Sequence, residues 1–412
     1  MPTSSRIVGN DVWESLAQVT GLDFLSEKSA PSRQLCDDVL ELSTLFTRKR
    51  DSLGAAYLDH ERLHRAYLSY FLPVNLAKVQ SLLGEMPKPA VGLMGSAASY
   101  RVLDLASGPG TGALAVLDWW RNQRQHNDQT WTLELFAVDR SSVSLETTQK
   151  LWSAYRAASS LPHVHLQTCI YDLEREKGAG LSDRFASQLG TEPFDLIMIH
   201  NGLNELFLGD PDPVSRRIKL LLALLQRLSP HGTMMIVEPA LRTVARELHH
   251  IRDALLAVEA CTVYAPCLHH QSCGALVKPD DWCHEERPWV APPFIEQIDR
   301  QIGLIKDALK FSYLLLRKDE QTVVSRAPNV YRVVSERRDL KGEARVWVCN
   351  ELGRGELGRL DREQSLFNEE FSLVGRGDII AVNEIRRKTK SGQVSPVGRI
   401  PSDAQVDLVR RP

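Results

Sequence analysis

Between Tyr100 and Val258 the chain repeats one pattern, a short apolar segment of strand character followed by a helical segment. The five apolar segments are RVLDLA, LELFAVD, HVHLQTCIYD, FDLIMIHN and GTMMIVEP. Strands that alternate with helices favour a parallel sheet with helices on both faces, because each helix carries the chain back to the start of the next strand. The pattern therefore predicts an α/β protein with a doubly wound, mostly parallel sheet. A sixth strand, KFSYLLLRK, is expected to return to that sheet.

The flanking sequence predicts further regions. Residues from about 33 to 85 have apolar positions at helical spacing, and residues 1–95 are therefore predicted to form a helical region. The core spans residues 96–325 and includes a cysteine-rich loop at 264–290. Short alternating runs, separated by glycine and charge, predict a small β-rich unit over 326–390. We expect residues 391–412 to form a disordered tail.

Composition narrows the class of protein. The 412 residues carry a formal net charge of −2, and 43% are hydrophobic, as in an ordinary globular protein. No apolar run approaches the ~18 residues typical of a membrane span, and the first residues do not resemble a signal peptide. We therefore expect a cytoplasmic protein, mitochondrial if the source is eukaryotic, that binds neither membranes nor DNA. In a reducing compartment, clustered cysteines bind metal or react more often than they form disulfides.

A glycine-rich turn follows the first strand, in RVLDLASGPGTGALA. Gly108 and Gly110 permit backbone conformations and close approaches that a Cβ would block. This segment resembles the first motif of class I S-adenosylmethionine-dependent methyltransferases, in which an acid, here Asp104, precedes a Gly-x-Gly-x-Gly run. The chain departs from the motif at the first glycine, where it has Ala106. The spacing does not fit the dinucleotide-binding fingerprint.

Two further acids follow strands of the same sheet. Asp139 ends the second strand, where the resemblance implies a carboxylate that accepts both ribose hydroxyls of the cofactor. Asp172 follows the third strand and is a candidate to meet the adenine amine. Each has a structural alternative, which for Asp139 is that its carboxylate caps a helix.

The fourth strand, in FDLIMIHNGLNEL, ends where methyltransferases place the methyl acceptor. His200 and Glu205 are candidate catalytic bases there, and His200 is also a candidate cofactor contact. An alternative is that Asn204 and Glu205 cap the following helix. Neither the Asn/Asp-Pro-Pro-aromatic pattern of amine methylation nor a cysteine for carbon methylation is present.

Four of the seven cysteines lie in the last third of the chain, at Cys267, Cys273, Cys283 and Cys349. Four thiolates can hold a tetrahedral Zn²⁺ or a [4Fe–4S] cluster. Zinc ribbons prefer two C-x2-C pairs, and this chain has none, so the looser spacing suits the larger cluster better. A Cys3His zinc site stays open, since three histidines lie nearby, His269, His270 and His284.

These segments together resemble one family, the methyltransferase-like assembly factors of the mitochondrial small ribosomal subunit and their bacterial relatives. The resemblance rests on AYLSYFLPVNLAKV, VLDLASGPGTGA, IMIHNGLNEL, IVEPA, APCLHHQSC, DWCHEERP, FSYLLLRK and VWVCNELG. It implies a Rossmann-like methyltransferase core, bound S-adenosylmethionine and a [4Fe–4S] cluster with Cys267, Cys273, Cys283 and Cys349 as ligands. It also implies association with small-subunit ribosomal RNA during assembly. Gly274 is a second departure, because a proline often follows the second cysteine in the family.

Three hypotheses of function follow. The first is a ribosome-assembly factor that binds S-adenosylmethionine and rRNA with little or no catalysis, which the missing acceptor pattern favours. The second is an active methyltransferase on rRNA. The third is a methyltransferase on a small molecule or protein, with a structural zinc site.

Overall fold

The computed structural model describes residues 8–49, 57–87, 99–124, 131–176, 180–304, 307–390 and 393–412. The N-terminal region is helical, as its periodicity predicts. Pro73, which has no backbone N–H to donate, directly follows a π-helical turn in a helical run that continues from Glu61 to Leu83, so the helix does not end at this proline. The predicted boundary between residues 95 and 96 falls outside the described residues. The helices are α1 (Asn10–Thr20), α2 (Arg33–Thr47), α3 (Glu61–Ala66) and α4 (Leu72–Leu83), with a π-helical turn at Tyr67–Phe71.

The repeated strand-and-helix pattern is present from Ser99 onward. The central strands are buried on both faces, as their nearly continuous apolar sequences require. The elements are β1 (Ser99–Leu105), α5 (Thr111–Arg124), β2 (Thr132–Asp139), α6 (Ser142–Ser159), β3 (Val164–Ile170), α7 (Asp183–Leu189), β4 (Phe194–His200), α8 (Pro213–Leu225), β5 (Leu228–Pro239) and α9 (Arg242–Ala257).

The order of these strands defines the fold. They run β3-β2-β1-β4-β5, and every pairing among them is parallel. The order reverses between β1 and β4, and in such sheets ligands bind in the crevice beyond the carboxyl ends of the strands at that point. The predicted Rossmann-like class I methyltransferase core is confirmed. Among the described residues, no helix is long and apolar enough to cross a membrane.

After α9 the chain forms three more strands and one helix, β6 (Thr262–Ala265), β7 (Glu285–Pro288), α10 (Pro293–Ile302) and β8 (Ala308–Arg317). The predicted sixth strand is β8, which pairs with β7 and antiparallel with β6. The cysteine-rich loop lies between β6 and β7.

The C-terminal part is rich in strands, as predicted. Its main sheet has the order β16-β12-β11-β9-β13-β17, with β10 on β11, and β14 pairs with β15 in a separate hairpin. Val346, Val348, Leu357 and Ile380 form part of its apolar core. The strands are β9 (Val330–Val333), β10 (Arg338–Leu340), β11 (Glu343–Asn350), β12 (Gly353–Leu360), β13 (Ile379–Val382), β14 (Thr389–Lys390), β15 (Gln393–Val394), β16 (Val397–Arg399) and β17 (Val406–Arg410).

The predicted disordered tail at 391–412 is wrong for the residues that the structure describes there. β16 pairs with β12, and β17 pairs with β13. Val397, Ile400 and Val406 are buried and belong to the apolar core on which these strands pack. Polar residues and a proline separate these three apolar residues, so the sequence shows no apolar run that would predict strands.

The chain forms two compact units. The first comprises residues 1–237 and 288–309, and the second comprises 238–287 and 310–412. The candidate cofactor residues all belong to the first unit, and the four clustered cysteines all belong to the second. The predicted domain division stays a prediction.

Candidate functional site

The glycine-rich turn joins β1 to α5 at the crevice end of the sheet. Gly108 and Gly110 have φ angles of 54° and 98°, in the region that favours glycine. A Cβ on Gly110 would lie 3.1 Å from Thr148 Cα, so the turn packs directly against α6. The first amide groups of α5 lack intrahelical partners, which is the arrangement that binds anionic and polar ligand groups.

Ala106 occupies the position of the motif's first glycine. Its φ angle is 51°, a conformation that costs an alanine roughly 1–2 kcal/mol. Its methyl group is accommodated by Gly202 in the turn after β4, since a Cβ on Gly202 would lie 2.7 Å from Ala106 Cβ. The alanine therefore keeps the backbone path of the motif, and a glycine on the neighbouring strand end makes room for it.

Asp139 ties the end of β2 to the glycine-rich turn. Its two carboxylate oxygens accept hydrogen bonds from the backbone N–H groups of Gly108 and Ser141, each at 2.9 Å. The cap of α6 is Ser141, whose hydroxyl accepts from Ser144 N–H, so the helix-cap alternative for Asp139 is wrong. Burial raises the pKa of Asp139, although the two N–H donors act in the opposite direction.

Asp104 and His200 meet across β1 and β4. The parallel register pairs Asp104 with Met198, so the two side chains lie at neighbouring strand ends. His200 Nε2 is 3.2 Å from Asp104 Oδ1, and both side chains are buried. Their geometry does not make this contact a hydrogen bond, and within the described part of the chain neither side chain has another hydrogen-bond partner. A Cβ on Gly112 would lie 2.4 Å from Asp104 Oδ2, so the absence of a side chain at Gly112 leaves the space that this pair occupies.

Two more buried polar groups flank this pair in sequence. Ser107 Oγ and Asn201 Nδ2 have no hydrogen-bond partner among the residues that the structure describes. Asn201 has a φ angle of 55°, which marks a strained backbone directly after β4. Buried polar groups nearly always have partners in native proteins, so these atoms are available to a polar ligand.

Asp172 has a local structural role. Its carboxylate accepts from Glu174 N–H at 3.1 Å and caps the short 3-10 turn Leu173–Arg175. It also lies 3.7 Å from Arg175 Nε. The structural alternative for this residue is therefore present, and the contact with adenine stays a prediction.

A buried arginine stabilises the turn after β4 by hydrogen bonds to its backbone. Arg217 of α8 donates to the backbone oxygens of Asn204 and Leu206 at 2.9–3.0 Å. Asp212 caps α8 by accepting from Ser215 N–H, so the prediction that Asn204 and Glu205 cap that helix is wrong. Glu205 is half-buried at the end of the 3-10 turn Leu203–Glu205, and its role as a base stays a prediction.

The N-terminal region contacts the same end of the sheet, which sequence reasoning missed. Tyr67 Oη lies 3.4 Å from Thr111 Oγ1 at the start of α5, and His64 Nε2 lies 3.0 Å from Thr147 Oγ1 on α6. Ser141, the cap of α6, donates to Asp59. In the sequence these residues look like any polar face of a helix, so no local signal could have identified them.

In the second unit the structure brings all four predicted cysteines together. A cavity of about 50 Å³ is lined by cysteine, histidine and arginine side chains. This volume is more than a single water needs. The lining includes Cys267, Cys273, Cys283, Cys349, His249, His269, His284, Arg332 and Arg354.

The alternation of β11 explains how Cys349 reaches the cavity. Val346 and Val348 point into the apolar core, so Cys349 points to the opposite face of the sheet. Its cross-strand neighbours are Arg332 and Arg354, which line the cavity beside it.

One face of helix α9 makes hydrogen bonds to the backbone of the cysteine-rich loop. The sequence did not predict this contact. Arg246 donates to three backbone oxygens of the loop, those of Ala275, Lys278 and Asp281, at 2.7–3.0 Å. His249 Nε2 accepts from Cys283 N–H at 3.0 Å. One turn later, Asp253 accepts from Cys273 N–H at 2.9 Å. Residues 246, 249 and 253 recur at helical spacing, so a single stripe holds the loop.

Gly274 packs directly on β12. A Cβ there would lie 3.0 Å from Arg354 Cβ and 3.3 Å from Arg354 N. This close approach explains why a small residue follows Cys273.

Burial favours the neutral form of three of the four thiols. It raises the pKa of Cys273 to about 12 and also raises the pKa of Cys283 and of Cys349. Neutral thiols are favoured near pH 7 unless a cation stabilises the thiolates. As they stand, no three His, Cys, Asp or Glu side chains in the described ranges are arranged to hold a metal ion.

The three nearby histidines have different surroundings. His269 is buried, with Nε2 3.4 Å from Cys349 Sγ. His284 Nε2 lies 2.9 Å from Glu286 Oε1, and its ring stacks on Trp282. His270 is exposed.

A family model described as "Mitochondrial small ribosomal subunit Rsm22" matches residues 61–359. The chain belongs to this Rsm22 family. The match covers both the glycine-rich turn and the four clustered cysteines, and it confirms the family predicted from the sequence. No curated protein matches the chain.

Solved methyltransferase structures show distant similarity to this Rsm22 family member. The glycopeptide N-methyltransferase MtfA, solved with S-adenosyl-L-homocysteine, is 16% identical, with 39% of this chain and 47% of that chain covered and a TM-score of 0.25. The mitomycin 7-O-methyltransferase MmcR is 12% identical, with 69% and 67% covered and a TM-score of 0.35. A class I methyltransferase-like protein of Listeria monocytogenes is 12% identical, with 78% and 91% covered and a TM-score of 0.33. This chain thus spans about half the length of the first of them, and the strand order, not these scores, establishes the fold.

Proposed function

We propose that this protein binds S-adenosylmethionine in the crevice between β1 and β4, holds a [4Fe–4S] cluster in the cysteine cavity, and associates with small-subunit ribosomal RNA. The observation that carries the proposal is the convergence of four cysteines from distant parts of a Rsm22-family chain on one cavity. We keep the predicted cytoplasmic location, or a mitochondrial one in a eukaryote, as part of this proposal.

The crevice residues fit S-adenosylmethionine by their chemistry. The carboxylate of Asp139 has about four lone-pair positions, and backbone N–H groups use two of them, so two acceptors are left for a ribose diol. The turn that contains Asp104, Ala106, Gly108 and Gly110, together with His200, offers amide donors and buried polar atoms to the amino-acid part of the cofactor. Asp172 is assigned to the adenine amine.

The affinity for S-adenosylmethionine tests this assignment by titration calorimetry. Asp139→Ala is expected to weaken binding by about 1.5–3 kcal/mol, because charge-assisted hydrogen bonds are lost. Asp172→Ala, a matched change at a residue that already caps a turn, is expected to have a smaller effect. Equal affinity of Asp139→Ala and the unmodified protein would show that the Asp139 carboxylate does not bind the ribose hydroxyls.

The cysteine cavity fits a cluster better than a single ion. A tetrahedral Zn²⁺ with bonds of ~2.3 Å draws its sulfurs to within roughly 4 Å of one another, whereas here a cavity separates the side chains. Cys267, Cys273, Cys283 and Cys349 would each hold one iron, and the arginines Arg332 and Arg354 would offset the negative charge. When bound, the cluster supplies a rigid cross-link between the loop and β11, and one-electron chemistry.

Metal analysis of protein purified without oxygen tests this part. We expect brown protein with broad absorption near ~400 nm and matching amounts of iron and acid-labile sulfide. Colourless protein with one equivalent of zinc would replace the cluster by the zinc alternative.

We propose that RNA association, with little or no methyl transfer, is the main function of the protein. The segment after β4 has neither of the acceptor patterns expected for base methylation. Crosslinking the protein to RNA in cells and sequencing the bound RNA tests this part, and we expect small-subunit rRNA.

A second candidate is an active methyltransferase, and the buried His200 favours it. An imidazole nitrogen of His200, at the end of β4, can accept a proton from a methyl acceptor, with Glu205 as the other candidate base. The acceptor would be rRNA, or a small molecule or protein if no rRNA is recovered. Radiolabelled methyl transfer to purified small subunits that His200→Ala abolishes would establish this activity.

A further inference from the structure

The second unit has a two-stranded antiparallel ribbon next to β16, the edge strand of its main sheet. Arg386 and Arg399 exchange two backbone hydrogen bonds of 2.7–2.8 Å, and β14 pairs with β15 further along. Between these pairs, Ser395 N–H donates to the backbone oxygen of Lys388 at 2.7 Å. We call residues 386–390 and 393–399 the basic ribbon, because five of these twelve residues are basic and none is acidic.

The structure separates the charges of the basic ribbon into two kinds. Arg386 pairs with Glu384 at 2.6 Å and with Asp403 at 3.0 Å. Arg399 pairs with Glu343. These two arginines therefore have their charge offset by carboxylates of the same chain, and they add little attraction for an external anion.

Arg387 is held in place without a carboxylate. Its Nη1 donates to the backbone oxygens of Ser395 at 3.2 Å and Pro396 at 2.7 Å, which are neutral acceptors. A Cβ on Gly355 or on Gly398 would lie 3.6 Å from Arg387 Nη2, so the guanidinium group lies against two glycines. The side chain is exposed, and within the described residues no carboxylate pairs with it. It is thus an oriented cation whose charge is not offset.

Lys388 adds a second charge of this kind. Its side chain is exposed, and in the part of the chain that the structure describes its ammonium group has no hydrogen bond or ion pair. The two residues are adjacent on one strand of the ribbon. Together they place two available positive charges on one small surface.

Two other basic segments of the chain differ from the basic ribbon. In residues 216–219 one arginine pairs with Asp210, and the other is buried and donates to backbone oxygens. In residues 332–338 each of the three arginines pairs with a carboxylate. The net charge of the whole chain is −2, so attraction for a polyanion has to come from a local surface. Arg387 and Lys388 provide such a surface.

We infer that the basic ribbon is an RNA-binding surface on which Arg387 and Lys388 contact backbone phosphates of the small-subunit rRNA. This inference rests on the proposed association with rRNA. A guanidinium group donates paired hydrogen bonds to phosphate oxygens, and an ammonium group binds them as a point charge. Contacts of this kind position the RNA and do not read its sequence.

The salt dependence of RNA binding tests the inference. The affinity of the full-length protein for a small-subunit rRNA transcribed in vitro is measured at several salt concentrations. Each phosphate contact releases counterions, so Arg387→Gln and Lys388→Gln should each reduce the slope of log affinity against log salt by about 0.7–0.9. The same slope corresponds to binding that is about 4- to 6-fold weaker near 0.15 M salt.

Arg386→Gln is the matched control. It removes the same formal charge from the neighbouring position, but this charge is already paired with Glu384 and Asp403. We expect it to change the slope by less than half as much as Arg387→Gln. Equal changes in the two variants would mean that only net charge matters, and would overturn the assignment of a contact to Arg387.

Lys388→Gln keeps the test decisive if Arg387→Gln does not fold, because the Lys388 side chain makes no contact whose loss could destabilise the ribbon. Melting temperatures are recorded for all variants. An unchanged salt slope in Lys388→Gln at an unchanged melting temperature would overturn the inference.

The outcomes separate this inference from the proposed function. Unmodified protein that does not bind the rRNA would overturn the proposed association, and the inference with it. Variants of Arg387 and Lys388 that bind the rRNA like unmodified protein would overturn the inference alone. Loss of binding to anionic phosphatidylserine vesicles, with rRNA binding unchanged, would assign the ribbon to a membrane surface instead.

Discussion

The cofactor crevice and the cysteine cavity are assembled in different ways. The crevice is built from consecutive strand ends of one parallel sheet, and most of its polar groups lie within a few residues of a strand. The cavity collects side chains from α9, the 267–283 loop and β11, which are far apart in the chain. A local motif can therefore identify the crevice, whereas the cavity depends on long-range packing and on the stripe of α9 residues that holds the loop. Four variants test this difference, and their expected effects range from loss of metal binding to a small change in pH dependence.

Removal of one cysteine should have the largest effect. We expect Cys283→Ser to weaken metal binding by more than the ~100-fold typical for loss of an outer-shell partner, and to lower solubility. Cys261→Ser is the control, since Cys261 does not line the cavity. Iron content and melting temperature are measured for both variants. Equal values for Cys283→Ser and unmodified protein would show that metal binding does not require the Cys283 thiol.

A single methyl group should disrupt the crevice. Gly112→Ala places a Cβ 2.4 Å from Asp104 Oδ2 and 2.8 Å from His200 Nε2, so the buried pair has to move. We expect a loss of about 1–3 kcal/mol in the free energy of unfolding, as for other overpacked sites, together with weaker cofactor binding. Gly209→Ala serves as the control, because a Cβ there meets no atom within 4 Å. A denaturant titration with the same midpoint for both variants would contradict the crowding at Gly112.

The loop over the cavity should depend on α9. Arg246→Met removes the hydrogen bonds to three backbone oxygens of the loop and is expected to lower the free energy of unfolding by about 1–3 kcal/mol. Hydrogen exchange should become faster over residues 274–281. Arg242→Met, at an exposed position of the same helix, should change neither quantity. Unchanged exchange in Arg246→Met would mean that the metal alone orders this loop.

The contact between the N-terminal region and α6 should give the smallest effect, and it depends on pH. Burial lowers the pKa of His64 below its ordinary 6.5. Below about pH 6.5 the unfolded chain therefore binds the proton more readily than the folded chain, and the free energy of unfolding falls as the pH drops. His64→Gln should flatten this dependence by less than ~1 kcal/mol, while His60→Gln, at an exposed position, should not. Denaturant titrations at pH 5 and pH 7.5 measure how the free energy of unfolding depends on pH. The same dependence for His64→Gln and unmodified protein would show that His64 does not contribute to it.

The sequence predicted the parts that depend on contiguous residues. The strands and helices from Ser99 to Ala257 follow their apolar periodicity, and the glycine-rich turn has a recognisable spacing. It misassigned the described residues 393–412, because a few apolar residues among polar ones become strands only when a core is present to cover them. It also misassigned the cap of α8, since Asp212 and Asn204 are equally suitable residue types and only the backbone path selects one.

By itself, then, the sequence determined the order of strands and helices, the family, and the four cysteines as a candidate set, because periodicity and residue chemistry are local properties. Tertiary structure alone decided that Gly202 makes room for Ala106, that α9 holds the cysteine-rich loop, and that Cys349 lines one cavity with the three loop cysteines. Such contacts join residues that are distant in the chain, and their distances and directions exist only once the backbone has folded.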